Sequence, residues 1–137
     1  METKATVIQV TDLSVNYDGS PALKSVNVSV ISGRITAICG ANGSGKSTLL
    51  RCMARLQKPS RGQVFFGGCD ISRMRRNELA KKVAVLGQMP EVPAGLTVEE
   101  LVENGRHPHR GLLSRLRQAD RAIIAQSIAQ VVLEPLR

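Results

Sequence analysis

Apolar and polar residues alternate over two early stretches of the chain, residues 5–17 and residues 22–31. This two-residue period is typical of strands that bury one face and expose the other. Residues 18–21, DGSP, separate the two stretches and have the composition of a turn. The pattern therefore predicts two strands joined by a turn.

Three later stretches predict strands of a different kind. Residues 35–39, ITAIC, are nearly all apolar, which predicts a strand buried on both faces, as in the middle of a parallel sheet. Residues 83–86, VAVL, predict a second apolar strand, and residues 63–66 a short one.

Helices are predicted in four places. Residues 46–56 contain helix formers and no breaker, and residues 77–82 predict a short helix. Thr97 and Glu100 have the spacing of a capping box and open a third helix. Residues 118–133 form the last one. Its apolar face is predicted to consist of Ile124, Ile128, Val131 and Val132.

The composition narrows the classes of partner. The chain has 137 residues and 42% hydrophobic residues, enough for one domain with a buried core. A net charge of +8 suits an anionic ligand, nucleic acid or an anionic membrane surface, or is simply a solvated basic surface. Aromatic residues are only 2% of the chain, and no dense block of basic residues occurs between Arg51 and Arg121. Binding of nucleic acid is therefore disfavoured.

The cysteines and the N-terminus suggest a compartment. Cys39, Cys52 and Cys69 are odd in number and form no CxxC pair, so we expect a reducing compartment rather than disulfides or a zinc site. The segment METKATVIQV has no apolar leader, and no run is long enough to span a bilayer. We expect a soluble, cytoplasmic protein.

The most informative segment is GANGSGKST, residues 40–48, which matches the pattern G-x-x-x-x-G-K-[ST] between a predicted strand and a predicted helix. Glycines let successive backbone N–H groups curl around an anion, and the helix N-terminus adds its positive end. Lys46 supplies a mobile charge to β- and γ-phosphates, Ser47 a ligand for Mg²⁺, and Thr48 a donor to the α-phosphate. The predicted nucleotide-binding residues are Gly40, Ala41, Asn42, Gly43, Ser44, Gly45, Lys46, Ser47 and Thr48. A chance glycine turn is disfavoured because all the positions match in the right context.

With this loop, extended as GANGSGKSTLL, the sequence resembles the ATP-binding subunit of an ABC transporter. The likeness also rests on Tyr17, in NYDGSPAL, and on Gln88, in VAVLGQMPEVPAGLTVEELV. It implies that ATP and Mg²⁺ are the cofactors and that Tyr17 stacks on adenine, for which its flat ring is suited. It also implies that Gln88 is catalytic, touching Mg²⁺ and orienting a water through its amide.

The resemblance further implies a fold. The expected class is α/β, a P-loop NTPase with a RecA-like core and an N-terminal antiparallel β subdomain, truncated within its helical subdomain. Residues 1–88 would be the N-terminal part of the ATPase core, and residues 89–137 an incomplete helical subdomain.

The segment ENGRHPHRGLL, residues 103–113, resembles the iron–siderophore and cobalamin importer branch of that family. The implied partners are a membrane permease, contacted through about residues 88–113, and a second ATP-binding subunit, as in a homodimer. The implied location is the cytoplasm, peripheral on the inner face of the membrane. His107 and His109 are interpreted as exposed loop residues, since no carboxylate or cysteine is grouped with them.

The sequence also departs from the family. It contains no LSGGQ-type signature, no apolar strand ending in Asp-Glu and no switch histidine after such a strand. The resemblance therefore implies an importer ATPase whose 137-residue form is inactive alone. A non-catalytic nucleotide-binding module that needs a second chain and an unrelated P-loop enzyme, such as a small kinase, remain alternatives. We also expect residues 35–39 to leave an apolar edge that makes the chain marginally stable or prone to aggregation.

Overall fold

A computed structural model of the chain describes residues 6–88, 95–110 and 115–131. Within these residues the elements are β1 (Thr6–Tyr17), β2 (Ser20–Ile31), α1 (Lys46–Met53), β3 (Arg61–Phe66), β4 (Cys69–Asp70), α2 (Arg76–Ala80), α3 (Val98–Asn104) and α4 (Gln118–Val131). A short 3-10 turn, His107–His109, follows α3. The chain divides into two compact units, Met1–Leu79 and Ala80–Arg137. The expected boundary at residue 88 remains a prediction.

The first unit is built on an antiparallel sheet with the strand order β2-β1-β3-β4. The two strands predicted from alternation are confirmed as β1 and β2. Asp18 and Gly19 join them with φ of 46° and 83°, the positive values of a hairpin turn that follows the twist of the strands. β4 was not predicted, because two residues are too short to show a period.

β1 lies inside the sheet, and its side chains form the centre of the core. Val10, Leu13 and Val15 are each 0% exposed. The step of three residues from Val10 to Leu13 comes from a bulge at Asp12, whose φ is 50°. The bulge is held by a hydrogen bond from the Asp12 N–H to the side-chain oxygen of Asn27 and by an ion pair with Arg61. An extra residue thus returns Leu13 to the buried face.

Helix α1 contacts β1 and β2 and buries Leu49, Cys52 and Met53. It is shorter than predicted, because it ends at Met53 and not at residue 56. Arg55 has a φ of 57°, a value that a right-handed helix cannot adopt. Its guanidinium donates to the carbonyls of Ser72 and Met74. These long-range bonds fix the end of the helix, and the local sequence does not show them.

The two apolar strands predicted at residues 35–39 and 83–86 are wrong. Both segments are outside the sheet, and in the described part of the chain neither has a neighbouring strand. Ile35 is 101% exposed and Leu86 is 89% exposed. An apolar run becomes a doubly buried strand only when other strands and helices cover it, and the described residues supply no such cover.

The second unit contains α3 and α4, which contact each other. The predicted capping box is confirmed: the Thr97 side chain accepts from the Glu100 N–H, and the Glu100 carboxylate accepts from the Thr97 N–H. The predicted apolar face of α4 holds only in part. Ile124 is buried, but Val131 is 87% exposed, and Val132 lies outside the described residues. Of the helices described here, none combines the length and apolar character needed to cross a bilayer.

Candidate functional site

The glycine loop runs from residue 40 to the start of α1 and turns back on itself. Gly43 and Gly45 have φ of 77° and 88°, in the left-handed region that favours glycine. The Ser44 N–H donates to the Ala41 carbonyl at 3.2 Å, which closes a tight turn. The backbone is therefore curved in the way that a group of inward-facing N–H donors requires.

Gly45 also fixes where the loop lies. A β-carbon at this position would come within 2.6 Å of the Ala22 carbonyl oxygen and 2.7 Å of the Leu23 side chain. Only glycine therefore allows the start of α1 to lie directly against β2. The sequence does not predict this contact, because no spacing rule connects Ala22 with the glycine loop.

Lys46 folds back over the loop that precedes it. Its ammonium donates to the carbonyls of Gly40 at 2.8 Å and Ala41 at 2.7 Å, and it lies 3.5 Å from the Ser44 hydroxyl. The positive charge is thus held within the curve of the loop. The ammonium is therefore already at the site. A bound anion would replace the neutral carbonyls as the acceptor of its hydrogen bonds.

The N-terminus of α1 is left without the usual protein partners. Its N-cap, Gly45, supplies no side-chain hydrogen bond, and its first turn has no acidic residue. The first N–H groups of a helix have no acceptor within the helix, and together with the helix dipole they favour an anion. By contrast, the start of α3 is closed by its own capping box. The two helices show that the chain caps one N-terminus and leaves the other open beside a lysine.

The remaining loop residues differ in their exposure. Asn42 and Ser44 are exposed, and Ser47 is exposed in the first turn of α1. A hydroxyl there suits a Mg²⁺ ion that also binds phosphate oxygens. Thr48 is buried. The roles of Ser47 as a metal ligand and of Thr48 as a donor remain predictions.

Tyr17 is the last residue of β1 and pairs with Ser20 across the hairpin turn. Its side chain is 40% exposed. Ala22, which touches the position of Gly45, follows on the same hairpin end. The hairpin therefore brings Tyr17 to the end of the sheet where the glycine loop meets α1, whereas stacking on adenine remains a prediction.

Gln88 belongs to the second unit and the glycine loop to the first. Its side chain is exposed at a bend after residues 83–87. The metal and catalytic roles predicted for Gln88 therefore remain predictions.

The basic residues of the predicted docking segment are partly used inside the second unit. Arg106 pairs with Asp120 at 2.9 Å, and Arg110 pairs with Glu103 at 2.8 Å. Hydrogen bonding from Arg106, together with the Arg117 N–H, lowers the pKa of Asp120 below its ordinary value. Both arginine side chains are at most 20% exposed. The positive charges of Arg106 and Arg110 are therefore balanced by carboxylates. The spacing of these residues in the sequence does not predict the two ion pairs.

Comparison with known proteins gives the site a family context. The sequence profile described as ABC transporter matches residues 23–136. Among solved structures, that of an ATP binding subunit of an ABC transporter superposes with a TM-score of 0.75 at 26% identity, covering 94% of this chain and 50% of that one. The likeness confirms the α/β P-loop NTPase fold class predicted from the sequence.

Curated relatives are named as parts of iron importers. The chain is 40% identical over 118 residues to the iron(3+)-hydroxamate import ATP-binding protein of Bacillus subtilis (strain 168), covering 86% of this chain and 44% of the relative. It is 36% identical over 116 residues to the ferric enterobactin transport ATP-binding protein of Escherichia coli (strain K12), covering 85% and 43%. The chain thus spans less than half the length of these relatives.

Proposed function

The chain belongs to the ABC transporter family, and on that premise we propose that it is the ATP-binding component of an importer for iron–siderophore or related metal chelates. In the complete protein it would energise transport by binding and hydrolysing ATP. The names of the relatives, which refer to import of iron(3+)-hydroxamate and transport of ferric enterobactin, support this class of transported compound.

The single observation that carries nucleotide binding is the open N-terminus of α1 beside the Lys46 ammonium. Two loop carbonyls hold the ammonium in the curve of residues 40–45, and no side chain caps the helix. A triphosphate offers negative charge to both features at once. Lys46 would bind the β- and γ-phosphates, and the exposed Ser47 hydroxyl would hold Mg²⁺.

Two further side chains complete the proposed site. Tyr17 would stack its exposed ring on adenine, since it stands at the hairpin end next to the loop. Gln88 would contact Mg²⁺ and orient the attacking water in the assembled protein. When bound, Mg²⁺ supplies positive charge that offsets the charge of the phosphates.

The proposed partners are a membrane permease, bound through about residues 88–113, and a second ATP-binding subunit. Arg106 and Arg110 are paired with carboxylates of the same unit. We therefore expect His107, His109 and other exposed residues of this segment to contact the permease. The proposed location is the cytoplasmic face of the membrane.

Isothermal calorimetry with Mg-ATP tests the proposal. We expect Lys46→Ala to weaken binding by roughly 10- to 100-fold, the usual effect of losing a charged hydrogen-bond donor. Lys58→Ala is the matched control, because it removes the same charge from an exposed position of the same unit. Equal affinities for the wild type and Lys46→Ala would remove Lys46 from the site.

We also propose that the 137-residue chain alone binds ATP without sustained turnover. Phosphoryl transfer to water needs a positioned nucleophile and charge stabilisation beyond the loop, and the sequence contains no LSGGQ-type signature and no apolar strand ending in Asp-Glu. A second candidate is a non-catalytic nucleotide-binding module that needs a second chain, and the open N-terminus of α1 beside Lys46 suits that function equally. Steady phosphate release that is lost in Lys46→Ala would contradict both.

A further inference from the structure

A cavity of about 670 Å³ lies in the first unit, and none of residues 40–48 lines it. Its walls are the C-terminal end of α1, the loop that leads to β3, and the segment from β4 to α2. Three of the side chains that line it, Cys52, Val64 and Ile71, are at most 5% exposed. The volume is within the usual range of small-molecule sites in proteins. The cavity therefore has room for an organic ligand and offers it an apolar inner surface.

The charged side chains of this cavity are mainly cationic. Arg55, Lys58 and Arg76 line it, and Asp70 is the one carboxylate among its described lining residues. The charge of Asp70 is offset by Arg73, whose guanidinium nitrogen lies 3.9 Å away. Lys58 and Arg76 are exposed, and neither forms an ion pair within the described residues. The cavity therefore carries an excess of positive charge that a bound anion would balance.

Arg55 gives the cavity a wall that exists before any ligand binds. Its guanidinium donates to the carbonyls of Ser72 and Met74, which are 17 and 19 positions further along the chain. These bonds join the end of α1 to the segment between β4 and α2. A ligand does not have to order these two segments when it binds, and this lowers the entropic cost of binding. The partners of the guanidinium are neutral carbonyls, so its positive charge is not neutralised.

We propose that this cavity binds a small organic anion that has an apolar chain or ring. The apolar part contacts Val64 and Ile71, and the anionic group lies near Lys58 and Arg76. An inorganic anion would leave the apolar surface in contact with water, and an uncharged apolar compound would leave the positive charge unbalanced. The proposal rests on this cavity alone and does not depend on the proposed transport function.

Titration with octanoate, followed by NMR of the 137-residue chain, tests the proposal. We expect saturable shifts of the signals of Val64 and Ile71, and nuclear Overhauser contacts between their methyl groups and the octanoate chain. Acetate has the same anionic group without the chain, and it should give no saturable shift at the same concentrations. Octyltrimethylammonium has the same chain with the opposite charge, and it should bind at least about fivefold more weakly.

Two double variants of equal net charge locate the cationic contact. Lys58→Gln combined with Arg76→Gln should weaken octanoate binding by about 3- to 20-fold, because two ion pairs with the carboxylate are lost. Arg51→Gln combined with Arg75→Gln is the matched control, since it removes the same charge from exposed residues that do not line the cavity. It should change the affinity by about twofold or less, because distant exposed charges are screened by salt. All four side chains are exposed, so circular dichroism should show that both double variants fold as the wild type does.

The outcomes separate this site from the alternatives. An absence of saturable binding, or equal weakening in the two double variants, would overturn the proposal. Equal affinities for octanoate and octyltrimethylammonium would also overturn it, by indicating exposed apolar residues such as Ile35 as the binding site. Shifts confined to residues 40–48 that disappear in Lys46→Ala would place octanoate in the glycine loop and would count against the cavity. Mg-ATP titration of the same preparations tests the proposed function separately, so failure of one proposal is distinguishable from failure of the other.

Discussion

At the scale of single residues, two glycines of one loop have similar φ angles and different surroundings. Gly43 and Gly45 both have left-handed φ, of 77° and 88°. Nothing lies within 4 Å of a β-carbon at Gly43, whereas one at Gly45 would meet the Ala22 carbonyl oxygen at 2.6 Å. Backbone strain and steric exclusion are therefore separable here.

Replacing each glycine by alanine should separate the two effects. Gly43→Ala should lower the free energy of unfolding by about 1–2 kcal/mol, the usual cost of left-handed backbone for a residue with a β-carbon. Gly45→Ala should cost a further 1–3 kcal/mol or so, because the main chain of β2 cannot move aside easily. Urea denaturation measures both. Equal losses in the two variants would show that the close approach of α1 to β2 is not important for stability.

Residue chemistry was predictable from the sequence to the extent that it is local. The types and order of residues 40–48 specify a curved loop with a lysine and hydroxyls. The acceptors of the Lys46 ammonium, the contact of Gly45 with β2, and the pairing of Arg106 with Asp120 depend on how distant parts of the chain meet. No periodicity encodes those meetings.

At the scale of elements, the helices differ in whether side chains of the protein bind their N-termini. α3 is capped by Thr97 and Glu100, and the Thr97 N–H lowers the pKa of Glu100. At the start of α4, the Asp120 carboxylate accepts from the Arg117 N–H and from Arg106. Both helices of the second unit thus use carboxylates of their own at their N-termini.

Asp120 should make the stability of the second unit dependent on pH. Its folded pKa is lowered, chiefly by the hydrogen bond from Arg106, relative to the ordinary 3.8. The contribution is therefore fully present above pH 3.8 and is lost as the pH falls through the lower, folded value. Asp120→Asn should destabilise α4 at neutral pH and flatten this loss in acid.

Urea denaturation at a series of pH values, followed by NMR signals of α4, measures this effect. Glu99→Gln is the control, since it neutralises an exposed carboxylate of the same unit. If Asp120→Asn loses stability in acid as steeply as the wild type, the pairing with Arg106 does not govern the pH response.

The elements that the sequence predicts correctly are those whose partners are near in the chain. β1 and β2 pair across a two-residue turn, and the capping box of α3 joins residues three positions apart. Residues 35–39 and 83–86 carry an equally clear apolar signal, yet they form no strand in the described residues. The apolar pattern of a segment indicates that the segment is suited to burial. Burial also requires other strands and helices to pack against it.

At the scale of the whole molecule, burial is unequal between the two units. The first unit holds most of the buried apolar side chains of the described residues, and β1 alone contributes Val10, Leu13 and Val15. In the second unit, Ile124 is the buried apolar side chain found among the described residues. Because burial of apolar area is the main favourable term in folding, the units should differ in stability.

We therefore expect the isolated chain to unfold in more than one step. Hydrogen exchange in increasing urea should release the amides of α3 and α4 first and those of β1 last, while the amides of residues 35–39 should exchange at nearly the unfolded rate throughout. The order follows from burial: β1 is 0% exposed at three apolar positions, whereas Val131 of α4 is 87% exposed.

The exposure of Ile35 in residues 35–39 predicts binding of a hydrophobic dye and light scattering that rises with protein concentration. Both signals should be reduced in Ile35→Lys. A single sharp, reversible transition with full protection of residues 35–39 would contradict this picture, since it would require that the chain covers its own apolar edge.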